Sequence, residues 1–123
     1  MMRWVAVVVV GLAGLVGLVG TAAWAHDEGG AHTITGEVVD LACYLGHGAQ
    51  GLAHQECAKK CIASGLPVGI KSGNTIYVAV GIEHGTANAA LAPLAGQTVT
   101  VEGEITERDE MHLVAIKKVT AHQ

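Results

Sequence analysis

The chain has 123 residues and a formal net charge of −4, with 7 Lys and Arg against 11 Asp and Glu. That balance, with no Phe, two Trp and two Tyr, lacks the positive face and stacking aromatics that nucleic-acid binding requires. It also disfavours anionic membrane surfaces.

Residues 1–25 begin Met1-Met2-Arg3, run apolar from Trp4 to Gly20 and end Ala23-Trp24-Ala25. A basic start, an apolar stretch and a small-x-small site have the pattern of a secretory signal peptide. Export to the periplasm or beyond follows. The alternative is a retained membrane anchor over residues 4–24, close to the ~20 apolar residues a spanning helix needs. Gly11, Gly14, Gly17 and Gly20 weaken such a helix. The protein touches a membrane only if this segment stays on.

Residues 26–32 are polar and Gly-rich and are expected to form a flexible arm. Residues 33–123 are expected to form one small domain with a modest core of Val, Ile, Leu and Ala. TITGEVVDLA, from Thr33 to Ala42, is β-prone, and Gly36 within it marks a bulge or a close backbone approach. Gly46, Gly48 and Gly51 mark a loop. Leu52 to Ser64 is rich in helix formers, with Gly65 and Pro67 as stops. Pro67–Lys71 and Thr75–Val80, joined by Ser72-Gly73-Asn74, are expected as a hairpin. Ala87–Ala92 is a short helix. Gln97–Ile105 alternates as a half-buried strand, Glu107–Glu110 is a charged turn and Met111–Thr120 is the last strand. The expected fold is mostly β with one or two short helices. It is a small five-stranded OB-like barrel with a Cys/His-bearing helix inserted between strands 1 and 2.

All three cysteines and two of the seven histidines fall within nineteen residues: Cys43, His47, His54, Cys57 and Cys61. On a helix, His54, Cys57 and Cys61 stand at i, i+3 and i+7 and share a face. Cys43, at the end of the first strand, and His47, in the Gly-rich loop, can fold back over them. Thiolates with imidazole suit copper, especially Cu(I), and then zinc. Ca²⁺ and Mg²⁺ want oxygen donors. His26, His32, Met111 and His112 are secondary candidates, and His84 can be added to them. The spacing lacks paired C-x2-C knuckles, a C-x-x-C-H haem attachment and a thioredoxin-type C-x-x-C. No phosphate-binding Gly-rich signature is present. Neither a nucleotide nor covalent haem is therefore expected. Nothing supplies a hydrolytic cleft, and Glu37 and Asp40 read as ordinary strand carboxylates.

Two other readings stand beside metal binding. A disulfide from Cys43 to Cys57 or Cys61 would close a loop of about 15 residues and contribute about 3 kcal/mol. The chain would then be a disulfide-stabilised, non-catalytic interaction module of the cell envelope. A thiol–disulfide redox protein is the third reading. The expected role is metal binding, delivery or redox handling rather than turnover, with an envelope protein or a metal-receiving protein as partner.

Cys57-x3-Cys61 with nearby histidines is similar to the copper-binding C-x3-C of exported Sco-type delivery proteins. That resemblance covers five residues and implies the chemistry, not their thioredoxin fold. Two longer stretches are Gly36-Glu-Val-Val-Asp-Leu-Ala-Cys43-Tyr44 and Gly51-x2-His54-x2-Cys57-Ala-x2-Cys61-Ile-x2-Gly65-x-Pro67-Val-Gly69. With Leu91-Ala-Pro-Leu-Ala-Gly-x-Thr-Val-x-Val-x-Gly103, they resemble a group of small exported bacterial proteins of uncharacterised function carrying a CY…HxxCAxxC motif. The resemblance implies an exported, small, barrel-like domain and no particular ligand.

Overall fold

The computed structural model describes residues 31–81 and 85–122. The signal or anchor segment, His26 and His84 lie outside the described residues. Five strands, β1 (Ala31–Asp40), β2 (Val68–Ser72), β3 (Thr75–Gly81), β4 (Thr98–Arg108) and β5 (Met111–Ala121), close into a barrel in the order β1-β2-β3-β5-β4. All pairings are antiparallel except β3 with β5, which is parallel. A parallel pair needs a crossover. Here the chain passes through α3 (Asn88–Leu91), a 3-10 turn over Ala92–Leu94 and then β4 before it returns as β5. Between β1 and β2 stand α1 (Leu41–His47), a 3-10 turn at Leu52–His54 and α2 (Gln55–Ala63).

Small aliphatic side chains fill the interior. Val38, Ile70, Val99, Val101 and Val114 project inward from the strands, while Ile62 of α2 and Leu91 of α3 close one side. Such slender residues let the backbones approach closely, and two glycines carry the tightest contacts. A Cβ on Gly36 would lie 2.4 Å from the Lys71 carbonyl oxygen, and one on Gly103 would lie 2.3 Å from that of Ala115. Gly36 is thus the close approach expected of it, and the register shift falls instead at Glu102/Gly103. The β4–β5 hairpin turns on Asp109 and Glu110, both at positive φ, as a two-residue type I′ turn requires. β4 therefore runs to Arg108, three residues beyond the expected strand.

Three expectations are corrected. Ala31 and His32 belong to β1 rather than to an arm. The first strand stops at Asp40, and Cys43 lies inside α1 instead of ending a strand. Gly46 and His47 are helical, so the expected Gly-rich loop begins only at Gly48.

Candidate metal centre

Asp40 explains the early end of β1. Its Oδ1 accepts a hydrogen bond from the Ala42 amide at 3.1 Å, capping α1, one of the strongest N-terminal signals for a helix. Leu41 is buried beneath it. Gly48, at φ 70°, ends α1 in the left-handed region and donates its N–H to the Tyr44 carbonyl at 2.8 Å. Cys43 is consequently held on a short helix capped at both ends.

The following loop is pinned to the barrel by the Gly51 amide, which donates to Glu37 Oε1. α2 then packs through Ala58 and Ile62, one turn apart and buried. Cys57 and Cys61 each precede one of these residues. They form a parallel stripe about 100° round the helix from the core-facing one. The end of α2 is fixed at Cys61, whose carbonyl accepts from Ser64 Oγ at 2.7 Å and the Leu66 amide at 3.1 Å. Asn88 Nδ2 donates to the Ile62 and Leu66 carbonyls, each at 2.7 Å. Two core contacts and this hydrogen-bonded corner set the cysteine stripe facing α1.

The result is a cluster of three free thiols. The Sγ atoms of Cys43, Cys57 and Cys61 all lie within 4.8 Å of one another. Cys43 and Cys61 are half-buried and Cys57 is exposed. Asp40 is 2 % exposed, the one buried charged residue among those described. Its Oδ2 is buried and finds no hydrogen bond of regular geometry. The carboxylate lies against the Cys43 thiol. The Asp40 carboxylate beside it, with burial and the repulsion of neighbouring charge, pushes the Cys43 thiol up to about 12. Burial, then Asp40 and Cys57, raises Cys61 as well. The cluster therefore resists becoming three bare thiolates, and a cation removes that resistance.

A small crevice adjoins the sulfurs, lined by Asp40, Cys43, His47, His54 and Cys57 among others. The two imidazoles border this crevice, but no histidine joins the group of donors within 4.8 Å of one another. The structure thus draws the three cysteines together and leaves His47 and His54 exposed at the rim. The secondary candidates stand elsewhere. His32 is exposed on β1 beside a groove with Tyr77, Ile105 and Glu107. His112 lies across from Tyr77, ring centroids 5.4 Å apart, with Nδ1 2.9 Å from Glu107. Met111 is exposed on a different groove, beside Leu45 and Ile76.

Asp40 is the site residue that sequence reasoning passed over. The signal was Asp40 directly before Leu-Ala-Cys, a helix cap in front of a cysteine, hidden by reading Ala42 as strand. Comparison with protein-family models, curated proteins and solved structures finds no match for this chain.

Proposed function

We propose that this protein binds one soft transition-metal ion, Cu(I) or Zn²⁺, through the thiolates of Cys43, Cys57 and Cys61, and acts in metal binding or delivery. The observation that carries this is the spacing of the three sulfurs. Zinc–sulfur bonds of ~2.3 Å place tetrahedral ligand sulfurs ~3.8 Å apart. Three thiols within 4.8 Å need to close by at most about 1 Å to hold one ion at that spacing. Thiolate donors select soft ions. The electrostatics agree, since thiols pushed upward by a carboxylate and by each other gain most from a cation. They weigh against thiol–disulfide exchange, which relies on a thiolate formed near neutral pH.

The barrel supports an OB-like assignment. Five strands in the order β1-β2-β3-β5-β4 form a closed barrel, and OB-type barrels use the β1–β2 connection to bind ligands. The cysteine cluster is built on that connection. The leader-like residues 1–25 support export, where a metal-receiving or envelope partner would meet the protein.

The test is titration of the reduced protein with Cu(I) and with Zn²⁺ in competition with a chromophoric chelator. One ion per chain is expected, lost in the Cys57→Ser, Cys61→Ser double variant. Stoichiometric binding by that variant at wild-type affinity would overturn the assignment.

A further inference from the structure

The geometry points to Asp40 as the fourth donor of this centre, making it a Cys3Asp site that favours zinc, relative to Cu(I), more than the three cysteines alone would. The inference rests on the cysteine cluster being a metal site, and it names what completes that site.

Asp40 differs from every other carboxylate described. It is 2 % exposed, and its Oδ2 is buried with no hydrogen bond of regular geometry. A buried charged oxygen is normally paired, and one that is not asks for an explanation. Capping α1 occupies only Oδ1. The remaining oxygen is on the side chain that adjoins Cys43 and lines the same crevice as Cys43 and Cys57. The carboxylate therefore sits at the edge of the sulfur cluster with an unfilled coordination position. It is not itself within 4.8 Å of all three sulfurs.

Coordination chemistry then discriminates between ions. Zn²⁺ takes four ligands tetrahedrally and accepts carboxylate oxygen alongside thiolate. Cu(I) is satisfied by the soft donors and gains little from a hard oxygen. Charge acts in the same direction. Three thiolates and a carboxylate leave a zinc centre less negative than a Cu(I) centre, and residual negative charge is costly where a carboxylate is buried. His47 and His54 at the rim are the competing fourth donors.

Asp40→Asn and Asp40→Ser separate these roles, because both retain an oxygen able to cap α1 while removing the carboxylate. Zn²⁺ and Cu(I) affinities of wild type and both variants would be measured by chelator competition. The expected result is a zinc affinity weakened in each variant by more than the about 10–100-fold that loss of an outer partner costs, with Cu(I) affinity held within about threefold. Retained Cu(I) binding also reports that the cluster is still assembled. Equal losses for both ions, or no loss for either, overturn the assignment of Asp40. Failure of the wild type to bind either ion overturns the metal site itself, a separate outcome. Zinc X-ray absorption on wild-type protein decides the matter if both variants fail to fold. Three sulfurs and one oxygen support Asp40, and imidazole scattering transfers the role to His47 or His54.

Discussion

Ile62→Ala tests whether the cysteine stripe is positioned by the core. Ile62 is fully buried on α2, next to Cys61, and packs among the barrel residues. Truncating it removes three carbons with no solvent nearby to fill the space. A fully buried position of this kind costs about 3 kcal/mol within the usual range for large-to-Ala changes. For a domain of this size each kcal/mol moves Tm by about 4–8 °C. The metal-free variant should therefore melt about 12–24 °C below wild type. Binding to the folded state alone adds about 4 kcal/mol when the ion is at a thousand times Kd. Excess zinc should accordingly bring the variant back to at least the stability of the metal-free wild type. Thermal melts followed by far-UV circular dichroism, with chelator and with zinc, read both effects. A drop of less than about 4 °C would mean that α2 is not seated in the core as described. A full drop with no recovery, while Cys57→Ser, Cys61→Ser behaves identically, would refute the coupling between core and site.

Further outcomes follow from the same geometry. Asn88→Ala removes the amide that holds the Ile62 and Leu66 carbonyls; it should cost about 1–3 kcal/mol in denaturant melts and weaken metal binding. Gly36→Ala drives a Cβ to 2.4 Å from the Lys71 carbonyl and should strongly destabilise or prevent folding. Gly46→Ala, in α1 with open space around it, should instead stabilise by about 0.5–1 kcal/mol. Metal affinity should rise with pH, because thiols raised in the free protein must give up protons to bind. Apparent affinity measured from pH 6 to pH 8 checks this, and a flat profile would contradict thiolate ligation. The metal-free fold should respond in the opposite sense. A Cys43 raised from an ordinary value of 9.0 to about 12 contributes stability that is full below pH 9 and fades as pH climbs towards 12, so melts at pH 8 and pH 10.5 should differ downward.

The strands were legible because their apolar residues alternate and glycines and prolines punctuate them. Gln97–Ile105 and Met111–Thr120 kept their places, each lengthened by a residue or more. The β4–β5 turn was tighter than four charged residues imply, because Asp109 and Glu110 alone accept the positive φ. The errors gathered at Asp40–Gly48. The β-prone run from Thr33 continues past the true end of the strand, and a seven-residue helix carries too little periodicity to compete with it. Its start lies in one hydrogen bond from the Asp40 side chain. Proximity of the three cysteines was foreseeable from sequence. Their arrangement was not, since it depends on α1 and α2 facing each other across a loop tied down by Glu37. The helical-face argument placed His54 with Cys57 and Cys61, but the α-helix begins only at Gln55, after a 3-10 turn. His54 lines the same crevice as Cys43 and Cys57 but does not join the three-sulfur group.

The central claim is that Cys43, Cys57 and Cys61 act together on a single ion. Native mass spectrometry of the metal-loaded protein, repeated after alkylation with and without prior chelation, tests it most directly. The account predicts one ion per chain, three thiols protected together while it is bound, and all three alkylated once it is removed. A disulfide between two of the cysteines, with the third reacting freely and no ion retained, would contradict it.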